Sequence, residues 1–317
     1  MNKSILFTIS LKRVLPILLF IVVGIFNCFG QGSGNQWLDL NYAGDDQVYH
    51  NLDIYLPDTN ESTHKHKAIV VIYGSAWFGN NMKQTAYNTY GKYLLNSGFA
   101  VIAINHRAST DALYPAQIND VKAAIRFVRA HAELYKIDES FIGITGFSSG
   151  GHLASLAGAT NGVKEVTINS TTVNIEGDIG AYTDYSSSVH AVVDWFGPID
   201  MSLMDKCENP KGNDSPEAVL LGGNPSDHLD MIALLNPITF LDEADPPFLV
   251  IHGDADNVVP YCQSILFAKA LQEKGLLKEF ISVSKGQHGP ITFNESTFEA
   301  MVRFFLEEAE KSNLNRQ

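Results

Sequence analysis

Gly146-Phe147-Ser148-Ser149-Gly150 follows the apolar run Phe141-Ile142-Gly143-Ile144-Thr145 and precedes a small-residue helix pattern, Gly151-His152-Leu153-Ala154-Ser155-Leu156-Ala157. A strand, G-x-S-x-G and a helix in succession force the serine onto a strained turn. There its hydroxyl projects above the sheet, and the flanking glycines leave room for the tight backbone. Ser148 is therefore the candidate nucleophile. A serine hydroxyl is weak in that role until an imidazole takes its proton, and the imidazole needs a buried carboxylate to fix its tautomer and stabilise the imidazolium.

Both companions follow in the order Ser, Asp, His. His252-Gly253-Asp254-Ala255-Asp256-Asn257-Val258-Val259-Pro260 lies between an apolar strand pattern and a helix, so its carboxylates sit in a loop at the sheet's C-terminal edge. Lys285-Gly286-Gln287-His288-Gly289-Pro290 follows the next strand pattern, Glu279 to Val283. The gaps are 256 − 148 = 108 and 288 − 256 = 32 residues, the second being one helix plus one strand. Asp254 and Asp256 compete for the acid role. Asp256 is chosen because it is nearer the loop apex, and Asp254 is expected to cap the turn. Oxyanion donors must be backbone N–H groups aimed at the developing charge. Ser149, immediately after the nucleophile, supplies one. Ser75 or Ala76, in the loop Tyr73-Gly74-Ser75-Ala76-Trp77, supplies the other.

Outward from this set, β-branched apolar runs alternate with amphipathic segments. Ala68 to Tyr73, Ala100 to Asn105, Phe141 to Thr145, Ala191 to Phe196 and Phe248 to His252 read as buried strands of a mostly parallel sheet covered on both faces. Asp39 to Leu56, broken by Gly44-Asp45-Asp46, predicts an antiparallel N-terminal hairpin. Ile118, Val121, Ile125, Val128 and Ala132 form one helical stripe. Tyr261 to Lys274 and Phe298 to Ala309 predict further helices, the first ended by Gly275 and the second capped by Asn294 or Ser296. Segments 161–188 and 201–237 break the alternation and are expected to shape a pocket over the strand ends.

The chain resembles an α/β-hydrolase serine esterase of the hormone-sensitive-lipase-like branch, most of all the BD-FAE type named for feruloyl esterase activity. The resemblance rests on Tyr73 to Trp77, Tyr114 to Asp120, Gly146 to Ala154, Trp195-Phe196-Gly197-Pro198, Pro246 to Pro260 and Gly286 to Gly289. It implies an α/β fold, an acyl-enzyme mechanism on Ser148, Asp256 and His288, and acetyl or feruloyl esters of plant-type carbohydrates as substrates. The family usually writes His-Gly-Gly-Gly-Trp where this chain has Tyr73-Gly74-Ser75-Ala76-Trp77. Main-chain donors survive that change, but side chains tolerate positive φ less well than glycine, and the added Cβ atoms narrow the acyl side. Two other readings share part of the pattern: a serine peptidase of the prolyl-oligopeptidase type, and a non-catalytic binding module on the same fold.

Other residues have plainer readings. His152 and His252 are expected to be structural hydrogen-bonders, Arg107 an ion-pair partner for Asp120, and His64 and His66 part of a solvated polar loop. Trp77 and Phe147 are expected to line an aromatic substrate pocket, with Trp195 equally suited to core packing. No His/Cys/Asp/Glu spacing resembles a closed zinc site, so chemistry without a metal or cofactor is expected.

Lys3, Lys12 and Arg13 followed by the apolar run Val14 to Phe26 read as a signal peptide over residues 1–30, too short to span a bilayer. Cys28-Phe29-Gly30 places small residues at −3 and −1 of a cut before Gln31. The alternative is a lipoprotein acylated on Cys28, for which Ile25-Phe26-Asn27 is a poor approach, so periplasmic or secreted export is favoured. The remaining 317 − 30 = 287 residues (31–317) suit a single α/β-hydrolase domain. Losing three cations takes the net charge from −13 to −16, leaving no basic stripe for nucleic acid or anionic lipid. The expected partner is a small-molecule or carbohydrate ester, with no integral membrane segment after cleavage; the sequence leaves oligomeric state open. Cys207 and Cys262 would survive cleavage, and two unpaired thiols are favoured over a disulfide.

Overall fold

A computed structural model describes residues 35–58 and 64–314. The expected signal peptide, Cys28 and the cleavage site lie outside the described residues. The described residues form ten strands: β1 Gln36–Asn41, β2 Asn51–Tyr55, β3 His66–Ile72, β4 Ala100–Ile104, β5 Ile137–Phe147, β6 Glu165–Ile168, β7 Thr171–Asn174, β8 Ala191–Trp195, β9 Phe248–Gly253 and β10 Leu277–Val283. Eight form one sheet in the order β1-β2-β4-β3-β5-β8-β9-β10. β2 runs antiparallel to both β1 and β4, and every pairing from β4 to β10 is parallel. The expected N-terminal hairpin and parallel sheet are both there, in the α/β-hydrolase arrangement.

The near-continuous apolar strands divide by alternation into two buried faces, because successive side chains point to opposite sides. Val70, Ile72, Ile102, Ile142, Ile144, Val192 and Val250 face one layer of helices: α3 Ala116–Ala130, α4 Ser149–Ala159 and α7 Cys262–Glu273. Ile69, Val71, Val101, Ala103, Val193, Leu249 and Ile251 face the other. That layer holds α1 Lys83–Ala86 and α2 Lys92–Asn96, joined by a π-helical stretch Tyr87–Gly91, together with α8 Glu295–Leu314. The predicted stripe on α3 docks as read: Ile118, Val121, Ile125 and Val128 are fully buried. Each such side chain contributes roughly 1.5–3 kcal/mol of burial. Asn294 caps α8 through Oδ1, which accepts the Thr297 N–H at 3.1 Å.

The two irregular segments differ in kind. Segment 161–188 holds the β6–β7 hairpin and a strap drawn onto α3. Lys122, Arg126 and Arg129 reach it from successive turns of that helix, binding Glu176 and the carbonyls of Glu176, Ile179, Ser186 and Ser188. These polar contacts run to α3 and not to Ser148, Asp256 or His288. Segment 201–237 contains α5 Pro216–Leu221 and α6 Leu229–Leu235. It lies against α4 and the loop before α3: the His152 ring contacts Leu235 O at 2.9 Å, and the Tyr114 hydroxyl donates to Leu234 O at 2.6 Å.

Two expectations need correcting here. Cys207 and Cys262 form a disulfide across a sequence separation of 55 residues. Their Cα atoms are 6.3 Å apart, within bridging range, because the fold brings segment 201–237 to the first turn of α7. His66 is not in a solvated loop. It opens β3 and is 4 % exposed, with Nδ1 3.4 Å from Gly98 O.

Candidate active site

β5 ends at Phe147, and Ser148 takes φ 55°, ψ −128°, a conformation that costs a non-glycine residue of order 1–3 kcal/mol. The neighbouring backbone enforces it. The Ser148 N–H donates to Trp195 O at 2.9 Å, and the Ser148 carbonyl accepts His152 N at 3.0 Å, starting α4. A Cβ on Gly146 would sit 2.1 Å from Gly150 O, and one on Gly150 would sit 2.4 Å from Tyr73 O. Only glycine at both positions lets the turn close, which is the physical content of the G-x-S-x-G spacing.

The expected partners converge on this turn. His288 Nε2 is 2.9 Å from Ser148 Oγ, and His288 Nδ1 is 2.7 Å from Asp256 Oδ2. Asp256 also accepts the N–H groups of Val258 at 2.8 Å and Val259 at 3.0 Å on Oδ1. Burial by itself would raise the Asp256 carboxyl; the bonds from His252, His288 and the Val258 N–H outweigh it and hold the group well below the usual carboxylate range. An ionised Asp256 can only accept, so His288 Nδ1 carries the proton and Nε2 is left to accept from the serine hydroxyl. Phe196, itself at φ 42°, packs its ring 4.7 Å from the His288 ring and limits its movement. Asp254 stands aside: its Oδ1 accepts the Lys285 N–H at 2.6 Å, tying the Asp loop to the His loop.

The oxyanion side departs from the sequence reading at one residue. Ser75 N–H is already committed, donating at 2.9 Å to the Ser149 hydroxyl oxygen. The expected donor Ser75 therefore serves as a brace between its loop and the start of α4. Among the described residues, the backbone N–H groups of Ala76 and Ser149 have no partner. Ser149 N–H is one of the unpaired donors at the start of α4, where the helix dipole also favours negative charge. Ala76 and Trp77 adopt φ 50° and φ 60°, so the loop does demand the positive φ that glycine would supply more cheaply.

Trp77 does not line a pocket. Its ring is 2 % exposed and packs edge-on against His152 at 5.5 Å between centroids, because the positive φ turns the side chain into the core. Trp195 is fully buried among Tyr90, Phe293 and Phe298. Phe147 stays half-buried beside Ser148, edge-on to Phe293 at 5.6 Å. Arg107 is the ion-pair partner of Asp120, at 2.6 Å. His152 is fully buried, and burial lowers its pKa to about 4 despite the Leu235 carbonyl, so it is a neutral hydrogen-bonder.

One group escaped the sequence reading. Asp194 sits in β8 opposite Gly146, fully buried, with Oδ1 accepting the Gly197 N–H at 3.0 Å and Oδ2 unpartnered. Burial raises its pKa to about 7 against the Gly197 hydrogen bond. A carboxylate inside the apolar run Ala191 to Phe196 was the available signal.

A family model described as BD-FAE matches residues 52–271. Among solved structures, a bifunctional GH43-CE protein of Bacteroides eggerthii has 62% sequence identity and a TM-score of 0.86, over 88% of this chain and 36% of that one. A truncated carbohydrate esterase from gut microbiota has 51% identity and a TM-score of 0.85, over 89% of this chain and 99% of that one. A Mycobacterium tuberculosis (strain ATCC 25618 / H37Rv) protein described as the probable carboxylic ester hydrolase LipM is 28% identical over 235 residues, 74% of this chain and 51% of that protein. The chain spans about half the length of the curated relatives it matches first. With the family model covering well over half of its residues, the chain belongs to the BD-FAE family.

Proposed function

We propose that this protein is an exported serine carboxylesterase that hydrolyses small acyl esters through an acyl-enzyme, with acetyl or feruloyl esters of plant-type carbohydrates as substrates. The observation that carries the reading is the continuous line from Ser148 Oγ through His288 to Asp256, at 2.9 and 2.7 Å. Ser148 Oγ attacks the ester carbonyl carbon while His288 Nε2 takes the hydroxyl proton. The oxyanion accepts the unpartnered N–H groups of Ala76 and Ser149. Collapse of the tetrahedral intermediate breaks the ester C–O bond, and the leaving alcohol takes the proton from His288. A water molecule repeats the sequence on the acyl-enzyme, releasing the acid and restoring Ser148.

The substrate class draws on relatives described as carbohydrate esterases, and export on the leader-like pattern of residues 1–30. Segment 201–237, anchored on α4, is the better placed of the two irregular segments to set specificity, together with half-buried Phe147. Ser148→Ala tests the reading. Turnover of p-nitrophenyl acetate should fall by roughly 10⁴-fold or more, the scale on which nucleophile removal acts in such triads. A fluorophosphonate probe should label wild type and not the variant. Retained turnover in the variant sinks the assignment. Rates on acetyl, butyryl and feruloyl esters and on acetylated xylan then assign the acyl group.

A further inference from the structure

The hydrogen-bonded line that begins at Ser148 does not stop at Asp256. His252, the penultimate residue of β9, is fully buried, and its Nε2 lies 3.2 Å from Asp256 Oδ2, the same oxygen that receives His288 Nδ1. The same Nε2 is 3.2 Å from Val259 O. On the other side of the ring, His252 Nδ1 is 2.7 Å from Ser264 Oγ, a fully buried hydroxyl on the first turn of α7.

These partners fix the tautomer. Val259 O is a carbonyl and Asp256 is an ionised carboxylate, so neither can donate. Nε2 must therefore carry the proton, and Nδ1 of the neutral ring accepts from the Ser264 hydroxyl. The opposite tautomer would set a bare ring nitrogen against two oxygens in a site without water access, a costly arrangement for buried polar groups. Asp256 and Val259 thus set which nitrogen is protonated, and the Ser264 hydroxyl donates to the other and holds the ring in place.

We infer that His252, held on its far side by Ser264, is a positioning residue: it fixes the Asp256 carboxylate through Oδ2 and so orients His288 toward Ser148. This rests on the proposed reading of Ser148, His288 and Asp256 as the reacting set. Oδ1 of Asp256 is held by the Val258 and Val259 N–H groups, which make no contact with Oδ2. Oδ2 has His288 and His252 as its side-chain neighbours, and His288 is the ring that must stay aligned as it gains a proton. A buried donor on β9, bonded at both ring nitrogens, supplies a second hydrogen bond to Oδ2 that does not itself take part in proton transfer. Such outer hydrogen bonds characteristically act through orientation, and their loss costs turnover more than binding.

The first turn of α7 has further ties. Cys262 is bridged to Cys207, and Gln263 Oε1 accepts the N–H groups of Ile199 at 2.9 Å and Asp200 at 2.7 Å. Ser264 is therefore held by a turn anchored at two neighbouring positions, which keeps its hydroxyl on His252.

The test compares His252→Phe, His252→Gln and Ser264→Ala with wild type and Ser148→Ala, using p-nitrophenyl acetate and counting sites by fluorophosphonate labelling. Phe keeps the ring volume and removes both nitrogens; Gln restores one N–H near the Nε2 position. Per titrated site, kcat should fall about tenfold or more in His252→Phe with KM changed less than about twofold, as loss of a hydrogen bond to a charged group implies. Ser264→Ala should show a smaller fall in kcat, and His252→Gln should recover much of the loss.

If His252→Phe folds poorly, the kcat of Ser264→Ala per titrated site decides alone, and a wild-type value there overturns the inference. So does wild-type kcat in His252→Phe, or a His252→Gln variant no better than Phe, which would make the residue a packing element. If Ser148→Ala remains active, the proposed nucleophile itself falls, and this inference with it. A dead Ser148→Ala beside a fully active His252→Phe removes this inference alone.

Discussion

Asp194→Asn should change how the stability of this protein depends on pH, and the structure sets the size of the change. Asp194 is fully buried behind the Ser148 turn, with one oxygen on the Gly197 N–H and the other unpartnered. Burial raises its pKa to about 7 from the ordinary value of 3.8. Below pH 3.8 the carboxyl is protonated in both the folded and the unfolded chain, so it contributes no pH dependence. As pH rises above 3.8, the unfolded chain releases the proton and the folded chain keeps it, so stability falls by about 1.4 kcal/mol per pH unit. The loss levels off above the folded pKa, at about 4 kcal/mol in total. Between pH 5 and pH 8 the two-state expression gives a loss of about 2.5 kcal/mol. An asparagine of nearly the same shape cannot ionise. It keeps an oxygen for Gly197 and exchanges an unpartnered O–H for an N–H, at a pH-independent cost of about 1 kcal/mol.

The assay is reversible urea unfolding of both proteins from pH 5 to pH 8 under identical salt, with the disulfide intact. The difference between the two curves isolates Asp194 from the histidines that titrate in the same range. Buried His152, with its pKa near 4, contributes stability in the opposite direction as pH rises to about 6.5, and it is common to both proteins. The variant should be slightly less stable, or equal, at pH 5 and gain about 2.5 kcal/mol on wild type by pH 8. Parallel curves would refute the reasoning, because they would mean that Asp194 stays ionised in the folded protein and has a partner.

Ala76→Gly should raise stability by roughly 1 kcal/mol, since φ 50° is strained for alanine and free for glycine. The same change keeps the N–H and removes a Cβ from the acyl side, so the butyryl-to-acetyl rate ratio should rise on p-nitrophenyl esters; an unchanged ratio would show that Ala76 does not bound the acyl group. Replacing both Cys207 and Cys262 by serine should lower stability by about 4 kcal/mol, from the loop-closure entropy of a bridge spanning 55 residues. Thermal melts with and without reductant check this, and identical midpoints for wild type in both conditions would contradict it.

The legible parts of this protein are those whose signal is local. G-x-S-x-G between an apolar run and a small-residue helix announces its own geometry, because glycine at 146 is required by the Gly150 carbonyl four residues on, although glycine at 150 answers to the Tyr73 carbonyl of a neighbouring strand end. The alternating strands and the α3 stripe were readable for the same reason: period and burial face are set by neighbours in sequence. Asp256 could be preferred over Asp254 from loop position. Trp77 could not be placed, since its direction depends on a positive φ that the alanine before it does not advertise. The Ser75 N–H was misassigned because its acceptor, the Ser149 hydroxyl, lies 74 residues away. The disulfide was misjudged for a similar reason, two cysteines being too few to reveal a framework.

The sequence by itself determined the fold class, the order Ser148, Asp256, His288 and the need for unpaired N–H donors, since residue type and spacing carry that chemistry. Tertiary structure alone decided which N–H groups stay unpaired, which tryptophans vanish into the core, and that Asp194 and His252 lie behind Ser148 and Asp256. The physical reason is that hydrogen-bond supply and desolvation are settled by whatever the rest of the chain packs around a group. Ser75 and Ala76 are adjacent in sequence, yet a hydroxyl at the start of α4 reaches the first and leaves the second free.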